Sequence, residues 1–474
     1  MKPAVIMIGY LVVTTIVAMY LLRTNKSVQE HFVAKRNLSL YLVIPLLFGE
    51  CVGGAATIGN AAGAFQIGLS AGWATWGLAI GCFMIVFTVT KFYRVIGRQL
   101  GAMSVPEAYV ALFDLKTRYA LMFTILVCYV IFYALQPIGA AAILGPMFGV
   151  SQEAATWFVG IFFIILTITG GLRGLAWMSV IHALVKYIAL GIVAYLSIKA
   201  VGGFDVLQSK LPAHFFSVMH PNVWTTIAWG FGTAVGLFSS ATVAGVIYGA
   251  ENLAVAKKGI FLGGLLLVPF VLFVLIIGMS AKVLVPNIAA RTALFAGASS
   301  LGPWTGGLAA MGIMATILCV APSLLLIVST VLTRDFYLQI KKDATSEQQL
   351  MFSRVASVIV GIISILIGLR MESILYQMLG AFQIRAVAGV VLVAALMWPR
   401  VTGNAAFWAI IIGGVVALCW HVAGNPFGWA PMWPSLIASM PVLGIMTLLS
   451  SEKVSPGYLR YQVALQKLEA QGEL

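Results

Sequence analysis

Gly49-Glu50-Cys51-Val52-Gly53-Gly54-Ala55-Ala56-Thr57-Ile58-Gly59-Asn60-Ala61-Ala62-Gly63 lies inside an otherwise apolar run, and the state of its backbone decides the architecture. Each interior glycine weakens a helix by roughly 1 kcal/mol relative to alanine. In hydrocarbon, a broken helix leaves N–H and C=O groups that no water satisfies, so a break is tolerated only where it lines a cavity or is packed by protein. The stretch is therefore expected to be a discontinuous helix at membrane depth.

The flanking sequence makes lipid the solvent. Of 474 residues, 61% are hydrophobic and 9% charged, against about 25% charged in soluble domains. A hydrocarbon core of roughly 30 Å takes about 20 apolar residues as helix. Runs of that kind tile the chain, while the alternating ten-residue segments of a barrel are not seen. The expectation is an all-α integral membrane protein of about thirteen spans, near 3–22, 40–62, 66–90, 119–144, 153–170, 176–198, 225–248, 259–281, 304–332, 353–369, 374–397, 405–423 and 433–450. They form one domain over 1–450, followed by a tail over 451–474. The first span lacks a small-residue cleavage site and reads as a retained helix rather than a signal peptide.

The formal charge of +14 sits in short loops and reads as a topology signal rather than a nucleic-acid footprint. Arg23, Lys26, Lys35 and Arg36, then Lys91, Arg94 and Arg98, Lys257 and Lys258, Arg334, Lys341 and Lys342, and Arg400 all fall on one side of the alternation, which is expected to be cytoplasmic. That places the N-terminus outside and the C-terminus inside a plasma membrane, with the longer loops 200–224 and 282–303 outside. The five cysteines have no CxxC spacing and imply neither a disulfide framework nor a metal site. No nucleophile with a positioned base, no metal-type cluster and no nucleotide motif occurs, which argues against an enzyme. No repeated polar ring occurs, which argues against a channel. The tail residues Tyr458, Tyr461, Val463, Leu465 and Leu468 fit a short amphipathic helix or a disordered tail.

A second, weaker break falls in the seventh span at Gly230, Gly232 and Gly236, where the alternative is close helix packing through small residues. Paired interrupted helices five spans apart point to two inverted repeats, about 40–198 and 225–397, with a solute site at the bilayer midplane.

Several stretches resemble the sodium/solute symporter family over nearly the whole chain. Ala55-Ala56-Thr57-Ile58-Gly59 with Gly68-Leu69 is similar to the family's first core helix, and Ser104-Val105-Pro106-Glu107 to the loop after its second. Gly170-Gly171-Leu172-Arg173-Gly174 with Trp177 is similar to its turn into core helix five. Thr333-Arg334-Asp335-Phe336-Tyr337 is similar to the end of core helix eight, and Trp398-Pro399-Arg400 with Gly403-Asn404-Ala405 to the end of core helix ten. The resemblance implies a five-helix inverted-repeat core with one helix before it and two after, and a sodium ion held by carbonyls of the broken helix, about Gly49 and Val52, and by two adjacent hydroxyl residues on core helix eight. Those hydroxyl positions fall here on Cys319 and Val320, poor ligands for a cation that prefers oxygen, with Ser323 one turn on. The family's Asp and Gln after the Gly-Gly turn fall on Ser179 and His182. The sodium site therefore looks degenerate.

A charge at the bilayer centre costs at least roughly 2.5 kcal/mol, so each one needs a named partner. Glu50, in the first break, is expected to bind a proton in place of sodium or a cationic substrate group, or else to pair with Arg385. Arg385, mid-span in core helix ten, needs an anion: Glu50, or a substrate carboxylate that suits the guanidinium fork. Gly53 and Thr57 of the break join them as candidates. His182 and Lys186 read as a satisfied histidine and a lysine lining an inner vestibule. Gln383 is a substrate-lining candidate by analogy with sugar-carrying members; the acidic residue those members carry on core helix two is here Thr75, which disfavours a sugar. Phe65, Trp73 and Trp76 are candidate substrate walls or packing aromatics. The reading is a secondary transporter of a small amino acid, organic acid or organic cation, working by alternating access without a cofactor and coupled to protons or sodium. The alternative is a transporter-like sensor or an uncoupled facilitator.

Overall fold

The computed structural model of the chain describes residues 2–22, 28–169, 172–371 and 373–472. Arg23, Lys26, Gly170 and Gly171 lie outside the described residues. Among the described residues, ten helical stretches are long and apolar enough to cross a bilayer, and Ala4–Val17, Leu40–Cys51 and Gln152–Ile168 are shorter apolar helices.

In chain order, α1 (Lys2–Leu22) precedes the first broken helix, made of α2 (Leu40–Cys51) and α3 (Asn60–Ile67). Val52 ends α2 with φ −122° and ψ 84°, and a π-type turn over Ala55–Gly59 leads into α3. Next come α4 (Trp73–Phe87), α5 (Thr90–Leu100), α6 (Val105–Leu112), α7 (Leu115–Phe148), α8 (Gln152–Thr169) and α9 (Leu172–Val201). The second broken helix is α10 (Val223–Gly236) with α11 (Ala241–Gly249). It breaks just beyond the glycines, and the Ser240 side chain caps α11 by accepting from Val243 N–H at 3.4 Å. The chain continues through α12 (Leu253–Leu284), α13 (Pro303–Val331), α14 (Ser346–Gly368), α15 (Ile374–Met397), α16 (Gly403–Val422), α17 (Met432–Leu449) and α18 (Pro456–Ala470).

Small residues set the closest helix approaches, as membrane packing demands. A Cβ added at Gly77 of α4 would strike the Gly230 carbonyl of α10, so these two helices touch backbone to backbone. Gly68, at φ +77° with the Phe215 backbone against it, makes a turn only glycine fits.

The two broken helices are stitched together at the face that carries the basic loops. Leu38 N–H donates to Gly249 C=O at 2.8 Å and Glu251 N–H to Leu38 C=O at 3.0 Å, a one-residue parallel bridge. The same face carries a charge cluster in which Arg334 meets Glu107 at 2.8 Å and Arg118 meets Asp335 at 3.2 Å. The tail forms α18, which lies against α5 and α6. It buries Tyr461, Ala464 and Leu468, with the Tyr461 ring 5.4 Å from that of Phe92.

Candidate functional site

Both breaks line one cavity of about 50 Å³: Glu50 and Gly53 border it from the first, Leu237 and Ser240 from the second, Gln136 from α7 and Arg385 from α15. The broken backbone is held by side chains. Gly54 N–H, exposed by the break, donates to Gln136 Oε1 at 2.8 Å, and Gln136 Nε2 donates back to Phe132 C=O at 2.9 Å. Thr57 spends its hydroxyl on Gly53 C=O at 2.9 Å.

Arg385 is buried and does not pair with Glu50. Its Nε donates to Gly236 C=O at 2.8 Å and its Nη1 to Tyr129 Oη at 3.0 Å, while the rings of Tyr129, Phe132 and Phe382 lie within 5.7 Å of its Cζ. Gly236 closes α10, so the guanidinium sits at the negative end of a helix dipole and against three π-faces. These contacts compensate the charge without Glu50, so the pair with Glu50, one of the alternatives read from the sequence, is not formed. Glu50 is left with both carboxylate oxygens out of solvent and without a hydrogen-bond partner. Ser323, beside it, gives its hydroxyl to Cys319 C=O at 3.3 Å instead.

The sodium:solute symporter family model matches residues 31–413. The chain belongs to the sodium:solute symporter family. The sodium/proline symporters of Salmonella typhimurium and of Escherichia coli are each 23% identical over 434 residues, covering 87% of this chain and 85% of theirs. A Na+-coupled sialic acid symporter in a substrate-bound outward-open state superposes with a TM-score of 0.78 at 17% identity, over 95% of this chain and 98% of that one. Mhp1, a nucleobase-cation-symport-1 family transporter in a closed conformation, superposes with 0.63 at 14% identity, over 91% and 97%. The family and these neighbours are transporters, and the shared fold is the all-helical inverted-repeat core.

In this family member the positions where the resemblance implies hydroxyl ligands present a thiol and an isopropyl group. Cys319 Sγ points at Ser179 Oγ, 3.3 Å away, and fills the space over Gly49, where an added Cβ would collide with it. Val320 lines the cavity. The Val52 carbonyl is already occupied: Lys186 Nζ donates to it at 3.3 Å from the middle of α9, with the Phe48 ring centre 4.4 Å from the ammonium. Lys186 therefore lines no vestibule, contrary to expectation, because its side chain is wholly buried against the break. His182, one turn earlier, hydrogen-bonds Tyr10 Oη.

The other candidates are dispersed. Gln383 lies on another face of α15 from Arg385; it accepts from Met432 N–H at 3.1 Å and borders a separate cavity of about 260 Å³ with Gln66, Arg291, Tyr376 and His421. Phe65 sits under Lys282, 4.6 Å from ring centre to Nζ. Trp73 donates from Nε1 to Val218 C=O at 2.7 Å and packs edge-on against Trp76, and Thr75 accepts from Asn60 Nδ2 at 2.6 Å. None of Phe65, Trp73 and Thr75 borders the cavity between the breaks. Sequence reasoning missed Gln136 and Tyr129. A glutamine ahead of a proline in the middle of an apolar span was the available signal for the first; Tyr129 carries none, since buried tyrosines are common in such helices.

Proposed function

We propose that this chain is a secondary transporter that carries a small zwitterionic solute, an amino acid or a close relative, by alternating access across a cytoplasmic-type membrane. The observation that carries this reading is that Glu50, without a hydrogen-bond partner, and Arg385, engaged through Nε and Nη1 but not through Nη2, border the same cavity between the two helix breaks. An ammonium group fits the free carboxylate, and a solute carboxylate fits the Nη2 group that neither of the arginine's two bonds uses. The sodium/proline symporters among the relatives, whose named solute is an amino acid, support the same class.

A cavity of about 50 Å³ is far below the roughly 300 Å³ at which solute sites begin, so the conformation is closed around the break and must open to load. The cavity of about 260 Å³ at Gln383 and Arg291, on the face away from the basic loops, is the approach path. The basic face is taken as cytoplasmic, which puts α18 inside. The coupling ion is taken as a proton, because the sodium positions hold Cys319, Val320 and the Lys186 ammonium. Uptake of labelled amino acids, organic acids and amines into proteoliposomes, with sodium and proton gradients imposed separately, tests the reading. Accumulation of an amino acid under a proton gradient alone is the expected result; accumulation only of uncharged solutes would overturn it.

A further inference from the structure

We infer that the ammonium group of Lys186 is the resident cation of the first helix break, filling by a tether the place a coupling sodium ion would need. The inference deepens the proposed ion coupling and rests on the transporter reading only for its role in the cycle.

The position argues for a purpose. Lys186 stands in the middle of a 30-residue helix and is wholly buried, too deep for its head to snorkel to an interface. An ammonium there costs several kcal/mol unless it is compensated. The compensation comes from the break itself: Val52 C=O, at 3.3 Å, belongs to the residue that ends α2, the negative end of that half-helix. The second break repeats the arrangement with different chemistry, since Arg385 Nε holds the carbonyl of Gly236, the last residue of α10. Each first half-helix thus ends on a buried cation supplied by a neighbouring helix. The groups facing Lys186 are Glu50 and Cys51 from α2, Cys319 from α13, and His182 on its own helix, itself hydrogen-bonded to Tyr10 of α1. Glu50 is the only carboxylate among them, but it makes no ion pair with Lys186 and stays available to the solute, so the carbonyl end of α2 is what holds the ammonium.

A free sodium ion needs several oxygen ligands. Around this carbonyl it would find a thiol, an isopropyl group and an ammonium already in place. The lysine supplies a cationic group tethered to the chain, so a sodium gradient has nothing to drive through this site.

The test is the melting temperature of the purified full-length protein in detergent, in sodium chloride against potassium or choline chloride. This readout needs no solute, so failure of the amino-acid assignment leaves it intact. Wild type is expected to be indifferent to the cation. Lys186→Ala, which removes the charge and opens space beside Val52, is expected to melt several degrees lower and to regain part of the loss with sodium or methylammonium but not with choline. Lys186→Met, which removes the charge and keeps the volume, is expected to melt lower without rescue. Stabilisation of wild type by sodium as large as that of Lys186→Ala would overturn the inference. So would a monodisperse Lys186→Ala protein that no small cation rescues, or a Lys186→Met protein that melts like wild type.

Discussion

Replacing Gln136 by methionine tests whether the first break is held open by one side-chain acceptor. Two terms set the magnitude. A side-chain hydrogen bond between membrane helices is worth on average about 0.6 kcal/mol, whereas a buried donor left without a partner costs about 1–3 kcal/mol. Methionine matches glutamine in length and cannot accept from Gly54 N–H, whose present bond is 2.8 Å, so the second term dominates. The adjoining cavity of about 50 Å³ has room for a water, which needs roughly 10–15 Å³, and a water there would move the cost toward the low end. The expected loss of about 1–3 kcal/mol corresponds to roughly 5- to 150-fold weaker solute binding. Scintillation-proximity binding of the solute found by the uptake panel measures it, with the detergent melting temperature as a check on folding. Binding within twofold of wild type in both Gln136→Met and Gln136→Leu would refute the claim that this acceptor organises the break.

Glu50→Gln keeps the shape and removes the charge, and uptake is expected to fall by at least about tenfold; normal uptake with unchanged pH dependence would exclude the carboxylate from the cycle. Arg385→Lys cannot reach Gly236 C=O and Tyr129 Oη together, so KM for uptake is expected to rise about tenfold or more. His31 lies in a short helix, Val28–Val33, before α2, where burial and then the charge of Arg354 push its imidazole down to about 4, against about 6.5 when unfolded. Between those values the unfolded chain binds the extra proton, so stability is complete above about pH 6.5 and falls by up to about 3 kcal/mol on acidification toward pH 4. Melting curves against pH should show this slope in wild type and lose it in His31→Gln. Arg334 and Glu107, 2.8 Å apart and largely shielded, should couple by about 1–3 kcal/mol in a double-mutant cycle of Arg334→Gln and Glu107→Gln read by thermal unfolding, and zero coupling would reduce the pair to a surface contact.

The helical membrane fold was legible because lipid admits only helices and closed barrels, long unbroken apolar runs fit the first, and the Gly49–Gly63 stretch announced where that form fails. The second break was harder to place. The chain turns at Leu237–Ser239, after the glycines rather than among them, because a serine cap decides where the new half-helix starts. At the site, Glu50 and Arg385 stood out by charge alone, but their relation did not. Arg385 is satisfied by a carbonyl, a hydroxyl and three rings, and a search for opposite charges finds none of these. Lys186 was misplaced for the same reason, its acceptor being a backbone oxygen that only a broken helix exposes. Phe65, Trp73 and Thr75 lie close to the break in sequence, yet their helices turn them toward Lys282, Val218 and Asn60.

The bridge between Leu38 and the Gly249–Glu251 turn bears on biosynthesis. Its second partner is made more than two hundred residues after its first, a delay of about 10–40 s at translation rates of roughly 5–20 residues per second. Until then the Leu38 amide and carbonyl lack these two partners. The amino-terminal half is therefore made before the bonds that tie the start of α2 to the second broken helix can form.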